Sequence, residues 1–427
     1  MLADNTPRTA LYCLSSWPSP ARSISQPIQP RWNMAVEAGN QFASALSRED
    51  DWQKAVDDVC GTCRPQGTPP PDLAVVFFSG DHLSDAESIA RELSERLECE
   101  NVLGCNGESI VGGGEEVEQL PALSLWLAWL QGVDITPMEL AFQRTPDGGT
   151  ILGWPDGLLE EGSSPAAILV VADPYSFPME LLLERLNSDR PGMPITGGMA
   201  SGASSPGESR LVLGSDVMTD GAVAFWLQGE LQIRTVVSQG CRPIGEPYVV
   251  TSSEHNQIRQ LRGEPAMVRL KEVFERLPTC DQQLVERGLQ VGRVVSEYQE
   301  SFDQGDFLVR NVVGIDPETG SIGVADYIRP GTTVQFHVRD AQTADAELVQ
   351  LLEGLEKDPQ FTPGGGLLFT CNGRGTRLFD VPHHDAGLVW QHLGEIPLAG
   401  FFAQGEIGPV GKQNFLHGFT ASMILFA

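Results

Sequence analysis

The stretch "DLAVVFFSGDHLSDAESIARELSERLECENVLGCNGESIVGGG", Asp72–Gly114, decides the fold. After Asp72, residues Leu73–Phe78 are a continuous apolar run rich in Val and Phe. Such a run reads as a buried strand covered on both faces. "DAESIARELSERLE" (Asp85–Glu98) then switches to helical spacing, and "NVLGCNGESIVGGG" (Asn101–Gly114) is a glycine-rich segment. A second apolar run, "ALSLWLAWL" (Ala122–Leu130), closes the unit.

The same order recurs twice. "AAILVVADP" (Ala166–Pro174) leads to helix "PMELLLERLNSD", glycine segment "MPITGGMASG" (Met193–Gly202) and closing strand "GAVAFWLQG" (Gly221–Gly229). The last copy runs from "GGLLFTCNGRG" (Gly365–Gly375) through helix "HDAGLVWQHLG" and "IPLAGFFAQGEIG" to "HGFTASMILF" (His417–Phe426). Leu73 to Leu103 is 30 residues, Ala167 to Ile195 is 28, and Leu367 to Leu398 is 31, so the spacing agrees as well as the order. The glycines read as one bend used three times, where positive φ or close backbone approach is needed.

Between the second and third copies the pattern differs. "GEPAMVRLKEVFERLP" (Gly263–Pro278) reads as a helix. "DFLVRNVVGIDPETGSIGVADYIRPGTTVQFHVRD" (Asp306–Asp340) reads as strands joined by tight turns. "TVQFHVR" alternates, which predicts one wetter face, and "TADAELVQLLEGLEK" is an amphipathic helix. Near the start, "RWNMAVEAGNQFASALSREDDWQKAVDDVCGTC" (Arg31–Cys63) reads as helix. The fold class expected is a mixed α/β (α+β) protein of repeated strand-helix-strand-strand units with glycine-rich turns. It divides into a flexible segment 1–35, a domain 36–240 with units at about 72–130 and 166–229, and a domain 241–427 with a final unit at about 365–426. The Ser/Pro/Arg-rich stretch 8–31 reads as a tail, with a transit-like segment as the alternative.

With 57 acidic and 28 basic residues the net charge is −29, which opposes nucleic acid and anionic membranes at long range. No run approaches the roughly 18 apolar residues of a membrane helix. Eight scattered cysteines without a visible signal peptide point to a reduced, cytoplasmic protein.

Known site motifs fail at the glycine segments. A phosphate-binding loop ending at Gly411–Lys412 requires glycine where Glu406 stands and a hydroxyl where Gln413 stands. "GGMASG" lacks dinucleotide-loop spacing. Cys60 and Cys63 form a lone CxxC, without the further ligands of a structural zinc site, so neither a metal nor a cofactor is expected. Two thiols share a "CNG" core after apolar strands, Cys105-Asn106-Gly107 and Cys371-Asn372-Gly373. Either cysteine is a space-filling thiol or, with a base such as His383 or His384 nearby, a nucleophile. Arg374 and Arg377 suit a ligand carboxylate. Glycine turns with free N–H groups, such as that at Gly405-Glu406, suit an anion as well as a bend. These ten residues are the candidate ligand contacts, and no catalytic residue is assigned.

The chain resembles the FIST family, in which an N-terminal and a C-terminal domain occur together. The likeness runs through "ASALSREDDWQKAV", "PDLAVVFFSGDH", "VLGCNGESIVG" and "ITGGMASG", then "VVSEYQESFDQGDFLVRNVVGIDPETGSIGVAD", "RPGTTVQFHVRDA", "GGGLLFTCNGRG" and "PLAGFFAQGEIGPVG". Together these cover about Ala43 to Leu425. The resemblance implies a sensory input module that binds a small ligand, with amino acids suggested, and it carries no catalytic motif. No kinase, cyclase or methyl-accepting pattern follows the last unit in this sequence, so the signal is expected to pass to a separate partner protein. A thiol-dependent enzyme and an acidic interaction scaffold are the alternatives.

Overall fold

The computed structural model describes residues 39–146, 148–158, 165–298, 302 and 304–427. The expected flexible segment 1–35 lies outside them. The described residues form seven α-helices and 26 strands in a mixed α/β fold.

Three six- or seven-stranded sheets repeat one plan, and the fourth is an insertion. In each repeat a first strand (Leu73–Ser79, Pro165–Ala172, Gly365–Cys371) feeds a crossover helix (Ala86–Leu97, Met179–Asp189, His384–Leu393). The chain returns as a second strand parallel to the first (Val102–Gly107, Ile195–Met199, Leu398–Ala403). A closing strand (Leu123–Trp129, Ala222–Gly229, Thr420–Phe426) pairs antiparallel on the other side of the first. A lead strand (Gln41–Ser47, Val133–Thr145, Ile233–Gln239) pairs outside the closing strand. The three units anticipated from the sequence are therefore all present.

A hairpin follows each second strand, and none of the three stays in its own sheet. The first unit's hairpin, Ser109–Gly112 with Glu115–Glu118, pairs with the third unit's Leu398–Ala403. The second unit's hairpin, Leu211–Leu213 with Asp216–Met218, pairs with the first unit's Val102–Gly107. The third unit's hairpin, Glu406–Val410 with Gln413–His417, pairs with the second unit's Ile195–Met199. The exchange runs in one direction and closes.

The first strands are continuously apolar because both faces are buried. Leu73, Val75 and Phe77 point to a core shared with Leu169 and Val171 of the second unit and Leu367 and Phe369 of the third. Phe77 sits 4.9 Å from Phe401 and 6.1 Å from Phe369, ring centre to ring centre, so aromatic rings join units at the centre. The alternate residues face each unit's own helices: Ala74 and Val76, Ile168 and Val170, and Leu368.

The glycine segments are strands at their key positions, not bends. Gly104, Gly197 and Gly400 stand in register with Val76, Val170 and Leu368. A Cβ there would lie 2.1, 1.7 and 1.8 Å from the carbonyl oxygens of those residues. Close approach between the parallel strands is what demands glycine.

Two other expectations are corrected. Gln41–Ser47 is a strand, and the helix spans only Trp52–Cys63 after Asp51, whose side chain accepts from Lys54 N. Its seven residues take seven register partners on Leu123–Trp129, and that pairing overrides the helical pattern. "TVQFHVR" has no wet face: Thr333–Val338 are all buried. Val334, Phe336 and Val338 face the insertion's own core. On the other side, Thr333 hydrogen-bonds Glu297, Gln335 donates to Gly245 O, and His337 packs against Phe307.

The insertion occupies residues 241–339, between the third unit's lead strand and the helix Ala341–Glu356. Its seven-stranded sheet and the helices Ala266–Arg276 and Thr279–Arg287 enclose a separate core.

Candidate functional site

Polar side chains with unused hydrogen-bonding atoms converge where the third unit's first strand ends and the insertion meets it. In open α/β sheets this carboxyl end of parallel strands is the usual ligand position. The strand Gly365–Cys371 leads into a loop bearing Asn372, Gly373 and Arg374. Arg374 is fully buried, with Nε 2.6 Å from Asp385 Oδ2 and Nη2 2.7 Å from Oδ1. Asp385 also accepts from Thr370 Oγ1 at 2.7 Å and contacts His384 Nδ1 at 2.9 Å. Although burial opposes its charge, the Arg374 guanidinium holds this carboxyl well below the usual carboxylate range. The third guanidinium nitrogen, Arg374 Nη1, has no acceptor.

Arg339 approaches from the insertion, stacked on Phe419 at 5.1 Å. Its Nε and Nη2 are buried without acceptors, and among the described residues no carboxylate pairs with it. Two glycines make room. A Cβ on Gly373 would lie 2.4 Å from Arg339 Nη1, and one on Gly240 would lie 3.3 Å from Arg374 Nη1. Cys241 stands in register with Arg339. Glu406, from the third unit's hairpin, is fully buried; Oε2 accepts from Thr420 N and Oγ1 at 3.1 and 2.9 Å, while Oε1 is unpartnered. Burial pushes its carboxyl up to about 8, against the hydrogen bonds from Thr420 and the pull of Arg374. Asn372 Oδ1 is also unpartnered.

The first unit's exchanged hairpin braces this loop. Glu116 Oε1 accepts from Ala386 N at the start of the helix His384–Leu393, and Glu118 accepts from Thr376 N and Oγ1. Arg377 is half exposed and ion-pairs with Glu108. Burial, then the nearby Asp385 charge, pushes Glu116 up to about 8.

The ten residues singled out from the sequence separate into two groups. Cys371, Asn372, Gly373, Arg374 and Glu406 come together here, with Arg377 at the rim. Cys105 lies inside the shared core. Asn106 Nδ2 donates to Ser201 O, and its Oδ1 accepts from Arg210 N, joining the first two units. Gly107 packs on Phe401, and Gly405 O accepts from Met199 N. Arg339, Cys241 and Glu116 were not legible because they lie on other elements far along the chain, while Asp385, 11 residues beyond Arg374, carries no motif that marks it.

The thiols are held protonated. Burial pushes Cys371 and Cys241 up to about 12 and Cys105 well above the ordinary thiol value. The histidines are engaged elsewhere: His383 Nδ1 accepts from Glu116 N, and His384 lies between Asp345 and Asp385. Cys60 and Cys63 end a helix, both buried. Among the described residues no group of three His, Cys, Asp or Glu stands in metal-binding geometry, and no helix is long and apolar enough to cross a membrane. A separate cleft of about 270 Å³ contains Arg234 and Lys412. Arg234 is already paired with Asp358, so that cleft lacks the unused buried donors found here.

The raised carboxyls of Glu116 and Glu406, with Glu347 pushed up by burial to about 7 and adding a smaller share of the same sign, set a pH dependence. A carboxyl whose folded pKa exceeds its unfolded value contributes stability that is lost as pH rises through the folded value. Urea unfolding is therefore expected to show lower stability at pH 9 than at pH 7, by about 1 kcal/mol for each of Glu116 and Glu406. His337 and His417, pushed down to about 4, lose stability only as pH falls and do not contribute in this window. Glu406→Gln should remove one share of the slope. Equal stability at both pH values would show the carboxyls ionised.

Comparison with known proteins gives consistent matches. Residues 72–264 match the FIST N domain and residues 266–409 the FIST C domain. The uncharacterized protein Rv0628c of Mycobacterium tuberculosis (strain ATCC 25618 / H37Rv) is 44% identical over 384 residues, covering 89% of this chain and 98% of its own. The uncharacterized protein Mb0898c of Mycobacterium bovis is 41% identical over 377 residues, covering 88% and 96%.

Proposed function

Since this chain belongs to the FIST family, whose domains are generally taken as sensory, small-ligand-binding parts of signalling proteins, we propose that it senses a small carboxylate-bearing molecule. Amino acids and related short carboxylates are the class. The ligand enters between the third unit and the insertion, and a separate partner protein reads the bound state. The free thiols of the described cysteines suit a reducing compartment, and we place the protein in the cytoplasm.

One observation carries this reading: fully buried Arg374 leaves Nη1 without an acceptor beside the unpaired donors of Arg339. Buried donors normally find partners, so such a cluster is an anion cradle awaiting its anion. Uncharged Glu406 can donate through its proton, and Asn372 Oδ1 can accept an ammonium.

A thermal-shift screen of the full chain with amino acids and short carboxylates tests the proposal. A ligand at a hundred times its Kd adds about 2.7 kcal/mol, seen as a rise of a few degrees in Tm. If no member of the panel raises Tm, the reading fails.

A further inference from the structure

The insertion joins the rest of the molecule at two adjacent crossings. Gly240 links the lead strand Ile233–Gln239 to the strand beginning at Cys241, and Asp340 links Thr333–Arg339 to the helix Ala341–Glu356. The crossings touch: Asp340 N donates to Gly240 O at 3.3 Å. The insertion keeps its own core, and one small cluster packs its Cys241, Val294, Phe307 and Val309 against Phe419 of the third unit. Two neighbouring crossings can act as a hinge, and across them the contacts include this cluster, Gln239 Nε2 on Phe307 O and Arg339 on Phe419. The two guanidiniums with free donors stand on opposite sides of it, Arg339 on the insertion and Arg374 on the three-unit body.

We infer that the ligand's anionic group is a single carboxylate gripped between Arg374 and Arg339, and that this grip draws the insertion onto the three-unit body. The inference rests on the small-ligand reading above and deepens it. Charge balance selects a monoanion. Arg374 is neutralised by Asp385, and Arg310, two strands from Arg339 in the insertion's sheet, shares Asp326 with Arg293. Glu406 is fully buried, and burial favours its protonated form. Among the described residues Arg339 pairs with no carboxylate, and one carboxylate supplies the single counter-charge it lacks, which a phosphate dianion exceeds. The carboxylate's contacts are complete only when both bodies meet, so binding favours the closed arrangement over any open one. Arginine from each side supplies planar donors suited to the two oxygens.

Hydrogen exchange of the full chain with acetate, glycine and inorganic phosphate tests this. Glycine or acetate should slow exchange at residues 371–376 and at both crossings, around Gly240 and Asp340, and phosphate should act more weakly. Arg339→Gln removes no ion pair among the described residues and takes away a buried charge without a counter-ion, so it should not lower the unliganded Tm. It should weaken carboxylate binding by at least about tenfold and abolish protection at the crossings. Protection of 371–376 with unchanged crossings, or full affinity in Arg339→Gln, would overturn the hinge while leaving the ligand site standing. Stronger binding of phosphate would overturn the monoanion. No protection by either carboxylate would overturn both this inference and the function it rests on.

Discussion

Asp385→Ala is expected to destabilise the protein by about 3–5 kcal/mol, among the largest effects of any single substitution. The change removes both carboxylate bonds to a fully buried guanidinium, together with the acceptor for Thr370 Oγ1 and the partner of His384 Nδ1. What remains is an uncompensated charge away from water, the costly half of a broken buried pair. Replacing both partners by apolar residues, Arg374→Met with Asp385→Leu, should recover most of that loss, because no charge is then stranded. Glu108→Ala makes the natural contrast. It breaks the half-exposed pair with Arg377 and should cost about 1 kcal/mol or less. Urea unfolding of these variants measures all three. A loss below about 1 kcal/mol for Asp385→Ala would contradict a charged, dry Arg374.

The second large effect concerns fragments. A chain of residues 39–231 holds two complete units in sequence, yet it is expected to show no cooperative thermal transition. Its strand Ile195–Met199 lacks the hairpin Glu406–His417, and its hairpin Ser109–Glu118 lacks the strand Leu398–Ala403. The shared core would also lose Leu367, Phe369, Phe401, Ile424 and Phe426, leaving apolar surface and open strand edges in water. Co-expression with residues 232–427 should restore a 1:1 complex with a cooperative melt. A fragment melting cooperatively by itself would show that the exchanged hairpins are dispensable.

The three units were legible because the apolar run, helix and glycine strand recur within about thirty residues, where local patterning is strongest. The closing strands fell within a few residues of their observed ends. The exchange of hairpins was not legible, since nothing near Ile110 indicates that it will pair with Phe401. Gln41–Ser47 was misread because its neighbours are helical in pattern, while its strand state is imposed by Leu123–Trp129. The site divides along the same line. Arg374 stood out as a cation on a glycine loop of an acidic protein. Arg339 ends a strand of a different body, and alternation alone marks it as one more polar residue.

The directional exchange of hairpins gives this chain the contact pattern of a cyclic trimer whose three modules are covalently linked. A lone module offers one hairpin and one vacant second-strand edge, and three copies fill all three of these edges because the head-to-tail exchange returns to the first copy. Linkage releases the copies from identity. Ser79, Asp173 and Cys371 occupy the same place at the ends of the three first strands, yet only the last stands beside two arginines. Symmetry built the frame, and its loss at one position in three left room for chemistry.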